Sequence, residues 1–146
     1  MKTSKFTLIE LLVVIGIIGI LIGILLPAIA SSIKEGKKTK AESDCRQIAF
    51  AIEAYALDYQ ILPTSGSSDQ TYDFEELRPI LYGGNARSKI YFDSKFEYLN
   101  PWDNIYQVRL DLDYDNTVTT PHGSYGGKVV VWTLGPQSEI LSSKED

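Results

Sequence analysis

Glu10 is the residue whose position most needs a chemical reason. It stands at the mouth of "KFTLIELLVVIGIIGILIGILLPAIASSI", Lys5 to Ile33, in which Leu11 to Ile33 carry no ionisable side chain. A carboxylate in lipid costs on the order of 2.5–3.5 kcal/mol, so it needs water or a partner. At the interface Glu10 would simply be solvated, yet the apolar "FTLI" before it draws it below the headgroups. A cut between Lys5 and Phe6 would create an α-amino group on Phe6, four residues before Glu10 and on the same helix face. That cation could pair with Glu10 of its own chain or of a neighbour. Unpaired, the carboxylate favours leaving the bilayer; paired across chains, it favours assembly.

A second group with chemistry to offer is Asp111, Asp113 and Asp115, at alternate positions in "LDLDYDNTV". Several oxygens converging from one loop suit a hard cation, and calcium is the candidate. The string opens like an EF-hand but lacks its glycine and distal glutamate. Alternate residues of a strand share a face, and a turn at Asp115–Asn116 would curl them inward. The competing reading is a solvated strand edge and turn. Catalytic patterns are missing. The only histidine, His122, lies in the loop-like "TTPHGSYGG" without a metal or triad partner in sequence. No G-x-S-x-G occurs, and "HGSYGGKV" lacks the first glycine of a P-loop and the Ser/Thr after Lys128. The chain therefore reads as no enzyme. Cys45 is the only cysteine, so no intrachain disulfide can form.

These residues must be positioned by one domain and an appended element, given 146 residues. Twenty-three uncharged residues are enough to cross a hydrocarbon core of about 30 Å as a helix. A cleavable secretory signal competes, with "AIA" at Ala28–Ala30 as its cleavage site, but helix-compatible sequence continues past it, so the segment reads as retained. Gly16, Gly19 and Gly23 lie in the span, and Gly19 and Gly23 have the GxxxG spacing that lets helices approach closely; ordinary membrane glycine usage is the alternative. Pro27 removes a donor and is expected to kink or loosen the helix near Gly23. Residues 1–40 carry a net charge of +4 and residues 41–146 one of −9. The acidic remainder argues against a nucleic-acid surface. Lysines flank the span on both sides, and counted alone they would place the C-terminal part in the cytoplasm.

Beyond the span, Cys45, Ile48, Ile52, Tyr55, Tyr59 and Leu62 fall three and four apart, one apolar stripe on a helix. Cys45 on that stripe reads as a buried small hydrophobe. The spacing predicts one helix from about Phe6 to Ile61, with Gly36 in its charged joint. "PTSGSSDQTYD" reads as a loop, and "DFEELRPILYGG" as a short helix capped by Asp73 and ended by Gly83. "KIYFD", "KFEYL", "IYQVRLDLD" and "KVVVWTL" read as strands. The fold class is α+β: a long N-terminal helix, its first half transmembrane, packed on a small C-terminal antiparallel sheet with an aromatic core.

"FTLIELLVVIGIIGILIGILLPAIA" closely resembles the class III signal and first helix of type IV pilins and type II secretion pseudopilins. The resemblance covers Phe6 to about Ser32. It implies a prepilin peptidase cutting between Lys5 and Phe6 and methylating the new amine, with Glu10 pairing to the amine of an adjacent subunit. Gly19, Gly23 and Pro27 would then shape the assembly helix. The family usually has Gly before the cut, where this chain has Lys5. "NPWDNIYQV" followed by "VVVWTLGPQSE" resembles the PWGNPYxY and SLGxDG motifs of the major secretion pseudopilin. Pro101, Trp102, Asn104 and Tyr106 match; Asp103 replaces the glycine and Ile105 the proline. Asp-Asn can still form a tight turn with positive φ. That pseudopilin usually holds calcium in an Asp-rich C-terminal loop, a cluster that "GPQSEILSSKED" lacks.

The implied organisation is a leader at 1–5, a transmembrane and filament-core helix at 6–33, its continuation into the head at 34–62, and an α+β head at 63–146. The implied function is a structural subunit polymerising into a periplasmic filament that drives protein export by a type II secretion system. The resemblance sets the N-terminus in the cytoplasm and the head outside the bacterial inner membrane. Partners would be the prepilin peptidase, an inner-membrane assembly platform, minor pseudopilins, copies of itself and, before assembly, membrane lipid. Two other readings stand beside this one: a type IV pilin of a surface fibre for adhesion, motility or DNA uptake, and an anchored calcium- or ligand-binding module that never polymerises.

Overall fold

The computed structural model describes residues 7–66, 68–93 and 96–144. A single helix, α1, spans Leu8–Tyr59, slightly inside the expected Phe6 to Ile61. The chain divides into two compact units, residues 1–37 and 38–146. In the first, every described residue is exposed, although most side chains between Leu8 and Ile33 are apolar. Such a surface suits lipid or other helices rather than water. α1 runs unbroken through Pro27. Nearby, Ser31 Oγ and Ser32 Oγ both donate to the Ala28 carbonyl, at 3.2 and 3.0 Å. These bonds give the two hydroxyls a partner within the helix, as an apolar medium requires.

The second unit contains the remainder of α1 and all other elements: β1 (Gln70–Asp73), α2 (Phe74–Leu81), β2 (Gln107–Leu110), β3 (Thr117–Thr120), β4 (Gly123–Gly126), β5 (Val129–Leu134) and β6 (Ile140–Ser142). The four-stranded sheet has the order β1-β2-β5-β6, antiparallel throughout, and β3-β4 form a separate hairpin. The apolar stripe of α1 is buried as its spacing requires: Cys45, Ile48, Ile52 and Tyr55 meet Phe74, Leu77 and Leu81 of α2 and Val108, Leu110, Val129 and Val131 of the sheet. Each fully buried aliphatic side chain here contributes roughly 1.5–3 kcal/mol. The opposite face of β5 is covered too, with Val130 and Trp132 packing against Val118 and Tyr125 of the hairpin. A strand buried on both faces explains why "VVVWTL" is a continuous apolar run rather than an alternating one.

Four local expectations differ from the structure. "KIYFD" is no strand; it contributes one bridge, Tyr82 to Ile90. The described part of "KFEYL" likewise contributes only Leu99 to Ile105. Their aromatic side chains serve the core instead, with Phe92 and Phe96 packed edge-on against Phe74 and Tyr91 against Tyr55. The supposed loop "PTSGSSDQTYD" ends in β1, an edge strand of polar composition that pairs with β2. "TTPHGSYGG" folds into the second half of the β3-β4 hairpin around Pro121-His122. Asp73 does sit at the N-cap of α2, but its side chain makes no cap bond and accepts from Gln107 Nε2. At the other end Gly83 takes φ +103°, and a Cβ on Gly84 would lie 2.6 Å from the Pro79 carbonyl, so two glycines stop the helix as expected.

Candidate functional site

At the start of α1, Glu10 Oε2 accepts from the Thr7 backbone N–H at 2.8 Å and from Thr7 Oγ1 at 2.6 Å. Thr7 Oγ1 lies 3.4 Å from the Glu10 N–H in return. This is a capping box, T-x-x-E, in which the carboxylate serves as a helix cap and sits where the helix dipole favours negative charge. Among the described residues nothing engages Oε1. Lys5 and Phe6, the expected cleavage pair, lie outside the described residues. Gly16, Gly19 and Gly23 face open space, where an added Cβ would meet nothing within 4 Å. Nothing among the described residues therefore requires glycine at these positions.

In the second unit the "NPWDNIY" segment forms a tight turn pinned to the end of β5. Asp103 donates its N–H to the Asn100 carbonyl at 3.0 Å and takes φ +62°, the conformation glycine would adopt most easily. Asn100, only 3 % exposed, holds the turn from within. Its Oδ1 accepts from the Trp102 and Asn104 N–H groups at 2.8 and 3.0 Å. Its Nδ2 donates to Thr133 Oγ1 and the Leu134 carbonyl at 3.0 and 2.7 Å. Asn104 Nδ2 adds a bond to the same Leu134 carbonyl at 2.9 Å. Tyr106 is fully buried and donates its hydroxyl to Asp44 Oδ2 of α1 at 2.8 Å. Burial pushes both the Asp44 carboxyl and the Tyr106 phenol above their ordinary values; the shared hydrogen bond opposes the first shift and adds to the second. Pro101 and Trp102 are half-buried at the rim of the turn.

The carboxylates that come together among the described residues are not the three of the aspartate string. β2 ends at Leu110, and Tyr114 and Asn116 take φ +62° and +64°, so the chain turns instead of alternating along a strand. Asp115 Oδ1 accepts from the Thr117 N–H at 2.7 Å. Asp111 and Asp113 are joined by Asp69, from the segment before β1, and one carboxylate oxygen of each lies within 4.8 Å of the others.

No protein-family model and no solved structure matches the chain. Curated relatives do. The type II secretion system core protein G of Pseudomonas aeruginosa is 36% identical over 111 residues, covering 73% of this chain and 72% of that protein. The chain belongs to the pilin and pseudopilin family. The core protein G of Escherichia coli is 29% identical over 140 residues, covering 95% of this pseudopilin and 86% of the relative. The type IV major fimbrial protein FimA of Dichelobacter nodosus is 27% identical over 138 residues, covering 91% and 82%. The pseudopilin is thus a pilin-like structural subunit with a membrane-anchoring first helix, and these relatives are structural proteins.

Two working residues escaped the sequence reading. Thr7 was legible, because T-x-x-E before an apolar run is itself a capping pattern. Asn100 was not, because its role depends on the register that brings Leu134 beside it. Cys45 is fully buried, donates weakly to the Leu141 carbonyl at 3.6 Å, and its thiol is pushed up by burial. His122 is exposed at the hairpin turn, its ring edge-on to Trp132.

Proposed function

We propose that this pseudopilin rests in the bacterial inner membrane with its N-terminus in the cytoplasm and its head in the periplasm, is cut before Phe6, and polymerises through α1 into a periplasmic filament of a type II secretion system. The observation that carries the reading is the uncharged, wholly exposed helical segment Leu11–Ile33 with Glu10 at its mouth, in a chain 36% identical to a core protein G. In lipid the segment is satisfied by acyl chains; in a filament it is satisfied by copies of itself. Glu10 separates the two states, since an unpaired carboxylate resists the bilayer and one paired to a neighbour's α-amine holds register. Export then follows mechanically, as subunits added at the base lengthen a rod that pushes cargo outward. Prepilin peptidase, an assembly platform and minor pseudopilins complete the machine.

The fimbrial relative supports a second reading, a type IV pilin of a surface fibre. One experiment serves both. In the native bacterium, Glu10→Ala and Glu10→Gln are compared with the parent for membrane content and sedimentable filaments. The proposal expects both variants to insert normally and to lose filaments. Filaments surviving in Glu10→Gln, which keeps an acceptor but no charge, would reduce Glu10 to its capping role with Thr7. Filaments found outside the cell rather than in the periplasm would favour the surface fibre.

A further inference from the structure

The loop 85–90, which follows α2, is braced from several sides at once. Asn85 Nδ2 donates to the Ile80 and Lys89 carbonyls at 2.8 and 2.7 Å, and its Oδ1 accepts from Tyr59 Oη and the Lys89 N–H at 2.7 and 3.0 Å. The Asn85 carbonyl accepts from the Ser88 N–H at 2.9 Å, and Ser88 takes φ +49° within this turn. Tyr59 Oη accepts in turn from the Arg87 N–H at 2.9 Å. Lys89 is tied to Asp58 of α1, which also accepts from Tyr91 Oη at 2.7 Å.

What this bracing holds out is open to a partner. Residues 86–90 are all exposed, and Ile90, a large apolar side chain, is 66 % exposed. The Arg87 guanidinium lies 5.0 Å from the centroid of the Tyr59 ring. A guanidinium stacked on a ring keeps its edge N–H groups for a carboxylate. Among the described residues the ion pairs are Lys38–Glu139, Lys40–Glu97 and Lys89–Asp58, so Arg87 is in none. A cation and an apolar side chain on a loop of fixed shape make a recognition element, because little freedom is left to lose on binding. Charge says what it fits. Residues 41–146 carry a net charge of −9, so a second copy offers the carboxylates, and its exposed Phe50 and Leu57 are apolar ground. Two such loops facing each other would set cation against cation. The contact is therefore between unlike surfaces, the kind that propagates into a filament instead of closing as a dimer.

We propose that the braced loop 85–90 docks onto the acidic surface of a neighbouring copy in the filament, Arg87 taking a carboxylate and Ile90 an apolar side chain of that copy. The inference rests on the assembly reading and adds to it a contact made by the head.

The test compares sedimentable filaments of the full chain in the native bacterium. Arg87→Gln and Ile90→Ser should insert normally and keep the parent's urea midpoint in detergent micelles, yet each should lower filament content about tenfold or more. Arg87→Lys, which keeps the charge without the planar fork, should retain more filament than Arg87→Gln. A photo-crosslinker carried by a maleimide on Ala86→Cys reads the contact itself, since Ala86 is exposed and Cys45 is fully buried with its thiol pushed up by burial. Illumination should join this chain to a second copy, and Arg87→Gln in the same background should abolish the product. Parent filaments that Glu10→Gln loses but Arg87→Gln and Ile90→Ser keep would overturn the loop contact and leave assembly through α1 standing. A parent that forms no filaments would sink both. Crosslinks only to a different protein would also overturn the proposal.

Discussion

Replacing Asn100 with alanine removes the one side chain that ties the 100–106 turn both to itself and to β5. The loss can be worked bond by bond. Leu134 O keeps the bond from Asn104 Nδ2, and Thr133 Oγ1 keeps its own donation to the Ile105 carbonyl at 3.0 Å. What is stranded is the pair of backbone N–H groups of Trp102 and Asn104, which lose the Oδ1 acceptor. At about 1–2 kcal/mol for each part-buried donor left without a partner, Asn100→Ala should cost about 2–4 kcal/mol. That is a large share of the roughly 5–15 kcal/mol typical of a domain. Urea unfolding of the full chain in detergent micelles, followed by near-UV circular dichroism, reads it as a lower midpoint at unchanged slope. Asn100→Asp is the companion: it keeps the acceptor but sets a buried carboxylate against the Leu134 carbonyl, so its defect should shrink as the pH falls and the group protonates. A loss below about 0.5 kcal/mol for Asn100→Ala would refute the view that this side chain organises the turn.

Asp103→Gly should stabilise the chain by a few tenths to about 1 kcal/mol, seen as a higher urea midpoint, because Asp103 is exposed and held at φ +62°, while Asp103→Val should lower the midpoint. Asp44 sets a pH dependence of definite sign. Burial raises its carboxyl above the ordinary value, against the hydrogen bond from Tyr106 and the charge of Lys40, with Glu97 adding to the rise. The folded chain then holds a proton that the unfolded chain has released, so stability falls as pH rises above 3.8 through that window. Asp44→Asn should flatten this slope while retaining an acceptor for Tyr106, as thermal unfolding across that range would report.

How much of this was legible follows from what each residue answers to. The stripe through Cys45, Ile48, Ile52 and Tyr55 was readable because helical spacing alone decides which side chains share a face, and all four are buried. β2 was readable from its apolar–polar alternation and β5 from its β-branched run. "KIYFD" misled because a short β-branched and aromatic run looks the same whether a ladder or a helix face receives it. Here Asn85 ties the segment to its neighbours: its Nδ2 donates to the Ile80 and Lys89 carbonyls, and its Oδ1 accepts from Tyr59 Oη and the Lys89 N–H. β1 was hidden because "QTYD" is polar and earns its place only by pairing with β2. The same long-range pairing brings Asp69 to Asp111 and Asp113, which no local string could announce. Glu10 stood out at once from its composition, whereas its bond to Thr7 needed the capping pattern to be sought.

The proposed assembly requires a subunit with a free, methylated Phe6 amine facing a carboxylate. The intact mass of the protein isolated from its own membranes tests this most directly. Processing as proposed gives a mass matching Phe6 to Asp146 plus one methyl group, with Lys5 accepted before the cut. A mass that still includes residues 1–5 would leave Glu10 without its amine partner and contradict assembly through α1.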